Sequence, residues 1–154
     1  MSYPPYLSRP APASPLPLYA ACGVFTACAL VSLVFALVNW NGDGQARSLA
    51  GVIGIVLSGR ITGNIDFGIS ATMTVACTTF TLAPLLLARL AFARWALVFI
   101  GAVVTVYYLY AVGYLVSHDA VRLAGVPAVA ALMWGGATVL AMLPPTTRAL
   151  RRMR

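Results

Sequence analysis

The 154-residue chain contains no lysine and no glutamate, a single histidine (His118) and three aspartates (Asp43, Asp66 and Asp119). Charged residues make up 8% of it, against roughly a quarter in an average soluble domain. Such a composition cannot wet a whole protein surface, so a fold in water would leave large apolar areas uncovered. The three cysteines, Cys22, Cys28 and Cys77, lie within apolar stretches with no CxxC pair and no metal-ligand spacing. They read as small packing residues, and no metal site or cofactor is expected. There is no P-loop and no dinucleotide-binding glycine pattern.

What remains is strongly apolar: 61% of residues are hydrophobic and the mean hydropathy is +0.90. Four uncharged stretches stand out: Leu18–Val38, Phe67–Ala88, Trp95–Val116 and Leu123–Leu143. Each runs 21 or 22 residues, slightly over 30 Å at ~1.5 Å per residue, which is the thickness of a bilayer's hydrocarbon core. The sequence therefore predicts an all-α, polytopic membrane protein, with a four-helix transmembrane bundle over residues 18–143. A proline-rich segment (1–17, with Pro4, Pro5, Pro10, Pro12, Pro15 and Pro17) precedes it and is expected to be a disordered, polyproline-II-like tail. A basic tail (144–154) follows. Within the loop 39–66, Ser48–Ser58 (SLAGVIGIVLS) is apolar but too short to cross. It reads as an interfacial helix, a re-entrant cap, or an apolar loop folded onto the bundle's end.

The arginines set the expected orientation. With both termini in the cytoplasm, Arg9, Arg89, Arg94, Arg148, Arg151, Arg152 and Arg154 lie inside and only Arg47, Arg60 and Arg122 outside. That is the positive-inside pattern, and it points to a multi-pass protein of a bacterial inner membrane. Arg89, Arg94, Arg148, Arg151, Arg152 and Arg154 then act as membrane anchors. Topology explains the net charge of +7 without nucleic-acid binding. Tyr19 and Trp95 fall at the inner interface, Trp40 and Tyr114 at the outer, where amphipathic aromatics prefer to sit.

The spans contain no Asp, Glu, Lys, Arg or His. A proton-coupled carrier needs an ionisable group in the membrane, and an internal bis-histidine haem site needs two histidines. The chain acting alone is therefore a poor candidate for a proton-coupled carrier, and an internal bis-histidine haem site is excluded. Ser117, His118 and Asp119 are consecutive, but neighbours seldom converge on one centre, and the segment reads as a polar turn. No enzyme activity is expected.

At mid-depth, Cys28, Cys77 with Thr78, Tyr107 with Tyr108, and Trp134 form a layer of polar features. Thr78, Tyr107 and Trp134 are the candidate ligand-binding residues, for an amphipathic molecule such as a lipid or quinone. The alternative is plain interhelical hydrogen bonding. Thr74, Thr78 and Thr81 form one helical stripe; Tyr107, Tyr110 and Tyr114 form another. Small-xxx-small pairs, Gly23/Ala27 and Ala131/Gly135, suit close helix approach. Pro84 removes a hydrogen bond late in the second span, and Pro127 falls in the first turn of the fourth.

Arginine to the exclusion of lysine, with frequent Ala, Gly and Pro, points to a GC-rich genome. Together with the proline-rich N-tail, the Ala88-Arg89 to Arg94-Trp95 turn and the Leu143-Pro144-Pro145-Thr146-Thr147-Arg148 exit, the chain resembles the small four-span membrane proteins of actinobacteria. That resemblance implies a four-helix bundle and carries over no site residues. The function expected from the sequence is a non-enzymatic accessory or scaffold subunit, with the bilayer and other membrane subunits or its own copies as partners. The alternative is a self-assembling pore or a lipid- or quinone-binding protein.

Overall fold

Each uncharged stretch folds mainly as one long α-helix. The computed structural model describes residues 16–40, 64–88 and 90–143. The helices are α1 (Leu16–Trp40), α2 (Ile65–Leu87), α3 (Ala91–Ser117) and α4 (Gly125–Met142), with one 3-10 turn (Val121–Leu123) before α4. α1, α2 and α3 run slightly beyond their uncharged stretches, whereas α4 is shorter than its own because the 3-10 turn takes up its start. Asn64 caps α2: its Oδ1 accepts from the backbone N–H of Asp66 (2.9 Å) and Phe67 (3.5 Å). The Asp66 carboxylate in the first turn also faces the positive end of the helix dipole. The tails 1–15 and 144–154, the segment 41–63 containing Ser48–Ser58, and Arg89 lie outside the described residues.

All four helices are long and apolar enough to cross a membrane, and the protein is a multi-pass integral membrane protein. Large side chains such as Val34, Phe80, Phe99, Leu109 and Leu132 stand exposed around the outside, as a lipid solvent allows. The interfacial aromatics Tyr19, Trp40 and Trp95 are also exposed and lie near helix ends.

Each helix packs against the next, and α4 closes back onto α1. The bundle is antiparallel throughout: Cys22 near the start of α1 reaches Ala83 near the end of α2, and Arg94 at the start of α3 reaches the end of α4. One end of the bundle therefore gathers the start of α1 and the end of α4; we call it the Arg94 end. The opposite end, where α3 turns into α4, is the Asp119 end.

The buried positions recur at spacings of three and four. On α2 they include Ile69, Thr72, Ala76, Thr79, Ala83 and Leu86. On α4 they include Pro127, Ala131, Trp134, Thr138 and Ala141. This is the heptad spacing of left-handed bundles. The inward residues differ from the outward ones in size more than in polarity. Alanine dominates the inside and Leu, Val and Phe the outside, because close backbone approach rather than hydrophobic transfer drives helix association in lipid.

Candidate functional site

The centre of the bundle is built around Trp134. Its ring meets Phe25 of α1 edge-on, with centroids 6.2 Å apart and an interplanar angle of 69°, a preferred aromatic geometry. One turn along α4, Thr138 donates its hydroxyl to the Trp134 carbonyl at 2.8 Å. Gly101 of α3 lies directly beneath: a Cβ there would collide with the Thr138 hydroxyl and press on Phe25. Glycine at 101 is thus required by close approach. The Thr105 hydroxyl bonds back to the Gly101 carbonyl at 2.6 Å, so this turn of α3 offers α4 only small and internally satisfied groups.

Tyr107 and Tyr108 pack edge-on at 5.5 Å and belong to the same buried cluster as Phe25, Cys28 and Trp134. Ser32 of α1 hydrogen-bonds the Tyr108 side chain. Of the three candidate ligand-binding residues, the structure brings Tyr107 and Trp134 into one cluster and leaves Thr78 on the exposed side of α2. The tyrosine stripe divides in the same way, with Tyr107 buried and Tyr110 exposed. The residue next to Thr78, Thr79, is fully buried, and its Oγ1 has no hydrogen-bond partner among the described residues. The heptad spacing of α2 turns Thr79 inward, while the Thr74, Thr78 and Thr81 stripe faces outward.

A crevice opens beside this centre, between α1 and α4. It measures about 430 Å³ and runs from Cys28 and Trp134 at mid-bundle to Phe35 and Gly125 toward the Asp119 end. Val31, Val126, Val129 and Met133 form its flanks, and Ser32 with Tyr108 contributes its hydroxyl groups. A second, more polar cleft of about 380 Å³ lies at the same end, among Trp40, Asp66, Ile69 and Ser70.

The Ser117-His118-Asp119 segment is a helix stop. Asp119 adopts φ 56°, a left-handed conformation that aspartate tolerates. The N–H of Ala120 donates to the Leu115 carbonyl (2.9 Å) and that of Asp119 to Val116 (3.4 Å), the paired bonds of a Schellman motif. His118 Nδ1 lies 2.9 Å from the Tyr114 carbonyl. Nδ1 also lies 3.1 Å from the Ser117 hydroxyl; in the tautomer that carries the proton on Nδ1 it donates to the Tyr114 carbonyl, to which the Ser117 hydroxyl donates as well (2.8 Å). The imidazole stacks on the Tyr114 ring at 4.2 Å.

Among the six anchoring arginines, Arg94 falls within the described residues. Its Nε donates to the Ala141 carbonyl at 2.9 Å and an Nη to Met142 at 3.4 Å, and its guanidinium lies 5.7 Å from the Trp95 ring. The end of a helix leaves carbonyls without partners and carries partial negative charge. Arg94 answers both, and so ties the start of α3 to the end of α4. The small-residue pairs fare unevenly. Gly23 faces open space, whereas a Cβ on Gly135 would touch Thr105 at 3.4 Å.

No family model matches the chain, and no curated protein or solved structure matches it either.

Proposed function

We propose that the protein is a non-enzymatic accessory or scaffold subunit that docks through α2 onto another membrane protein. The observation that carries this reading is the outward face of α2. On α1, α3 and α4 the exposed side chains are mainly Leu, Val, Phe, Tyr and Trp. On α2 they include Asp66, Ser70, Thr74, Cys77, Thr78 and Thr81. Thr74 and Thr81 hydrogen-bond the Ser70 and Thr78 carbonyls, each at 2.9 Å, which makes them tolerable in lipid. Their oxygens still have lone pairs to accept bonds across an interface. Small hydroxylated faces of this kind suit helix–helix contact, at on the order of 0.6 kcal/mol per interhelical bond. In this reading Thr78 serves an interface and not a ligand pocket.

The pore alternative receives less support from the geometry, because Phe25, Trp134, Tyr107 and Thr138 fill the bundle centre. A conduit would have to form between copies. The orientation belongs to the same proposal: the Arg94 end faces the cytoplasm of a bacterial cell and the Asp119 end faces outward, as the positive-inside pattern favours. The resemblance to small four-span actinobacterial proteins is consistent with this placement.

The test is co-purification in mild detergent with mass spectrometry, comparing the native protein with the Thr74→Leu/Thr78→Leu variant. A partner that is retained by the native protein and lost from a variant with unchanged helicity supports docking through α2. Native protein that migrates alone, or a partner that both forms retain, overturns it. Reporter fusions at residue 154 and within residues 41–63 test the orientation; an active periplasmic reporter at residue 154 would reverse it.

A further inference from the structure

We infer that the crevice between α1 and α4 is a binding slot for one acyl chain of a membrane phospholipid, inserted from the side with its terminal methyl against Trp134. Four observations select this occupant.

The first is the opening. The crevice lies between two helices whose neighbouring outward residues, Val31, Val126 and Val129, are exposed, so what adjoins it in a membrane is the hydrocarbon of the bilayer. The second is length. From Cys28 to Phe35 on α1, and from Gly125 to Trp134 on α4, the lining spans roughly 10–14 Å at ~1.5 Å per residue. That is close to half of a ~30 Å hydrocarbon core, the depth of one leaflet. A chain entering from the Asp119 end would stop near the bilayer middle, where Trp134 closes the slot.

The third observation is chemistry. The lining holds no charged residue. Its polar side-chain groups are the hydroxyls of Ser32 and Tyr108, the Cys28 thiol and the Trp134 indole N–H. Apolar surface far outweighs these few groups, and an alkyl chain asks for nothing more. The fourth is size. The volume of about 430 Å³ lies in the lower part of the ~300–1,000 Å³ range of ligand sites, which suits one chain and not a whole lipid. The headgroup would remain at the membrane surface, outside the slot.

The three tryptophans make the proposal measurable. Trp40 and Trp95 are exposed near helix ends, whereas Trp134 is 2% exposed and borders the slot. In the Trp40→Phe/Trp95→Phe variant, all indole emission comes from Trp134. Reconstituted into phosphatidylcholine vesicles brominated near the middle of the acyl chain, this protein should lose at least half of its emission relative to unbrominated vesicles. Filling the slot with Ala130→Phe, or partly blocking its flank with Val129→Phe, should restore at least half of the lost signal, while Thr78→Phe on the far face of α2 should not. Two slot variants are used so that misfolding of one leaves the comparison intact.

Unquenched Trp134 emission overturns the proposal, as does quenching that neither slot variant relieves. Brominated phospholipid that fails to quench, with a long-chain quinone at low mole fraction quenching in a manner relieved by Ala130→Phe, would reassign the slot to an isoprenoid tail and overturn the phospholipid assignment. The slot lies on α1 and α4, away from the α2 face, so this result and the docking experiment can fail independently.

Discussion

The two halves of this bundle are built from the same helices but packed to opposite ends. Toward the Arg94 end, Ala21, Ala83, Leu86, Ala93, Leu97, Ala137 and Ala141 are all completely buried. Small residues there let four backbones converge, and Arg94 ties α3 to the end of α4. Toward the Asp119 end the main cluster gives way to the crevice beside Trp134 and the cleft at Trp40 and Asp66. The second buried hydrophobic cluster, Ala36 and Ile69 with flanking Ile65 and Met73, is small, although Asn39, Thr72, Ala111, Leu115, Ala124 and Pro127 are also buried toward this end. In lipid, helix association gains little from hydrophobic transfer and rests on close packing. The closed half therefore holds the fold, and the open half is free to accommodate something else.

Helix α4 offers the sharpest way to break that comparison, because one substitution can be made on it twice. Ala137 is completely buried in the closed half, while Ala130, two turns earlier, lines the crevice. Ala137→Leu adds three carbons where there is no room and should destabilise by about 3 kcal/mol, the upper part of the overpacking range. Ala130→Leu projects into existing space and should change stability by less than about 0.5 kcal/mol. Denaturant titration in detergent micelles, followed by circular dichroism, measures both. Equal losses at the two sites would remove the distinction between halves.

The glycine at the boundary of the halves comes next. Gly101→Ala places a methyl group against the Thr138 hydroxyl and Phe25. Thr138 must then turn away from the Trp134 carbonyl, at a cost of about 2 kcal/mol. Thr138→Ala removes the obstructing oxygen, so the double variant should recover most of that loss, since contacting residues do not act additively. A double variant as unstable as the sum of the two singles would mean that the close approach at Gly101 is not the cause.

Arg94 tests the closed end directly. Arg94→Gln removes the charge and one of the two bonds to the α4 carbonyls. The site is partly exposed and the second bond is long, so the expected loss is about 1 kcal/mol, at the low end for a charged donor. Arg94→Lys keeps the charge without the fork of donors and should fall between the two. A thermal melt in micelles orders the three forms. An unchanged midpoint for Arg94→Gln would reduce this residue to the membrane anchor that its position in the sequence suggests.

The helices were legible in the sequence because lack of charge over a bilayer's width is a strong one-dimensional signal. The inward face was not. Phe99 points outward and Phe25 inward, and nothing in their hydrophobicity separates them. Gly23 has small-residue spacing and faces open space within the chain, whereas Gly101, which no spacing marks out, sits under Thr138. Trp134 and Tyr107 stand out in the sequence because a polar aromatic at mid-depth is conspicuous whichever way it points. Thr78 lies apart from them because its stripe and the buried one through Thr72 and Thr79 differ by a single residue of register. The crevice could not be read at all: it lies between α1 and α4, a relation between helices that no single stretch records.

The smallest expected effect belongs to the open end. Asn64 caps α2 there through two backbone N–H groups, and such caps contribute roughly 0.5–2 kcal/mol. The site is exposed, where water can replace the lost acceptor, and the Asp66 carboxylate remains to stabilise the helix start. Asn64→Ala should therefore cost about 0.5 kcal/mol, and Asn64→Asp should be nearly neutral. Hydrogen exchange in micelles localises the effect: faster exchange at Asp66 and Phe67, with little change at Ala83 or Leu86, shows fraying confined to the open end. If Asn64→Ala instead costs more than Arg94→Gln, the open end is the one under tension. The stability of the bundle would then depend on the end where its cavities lie.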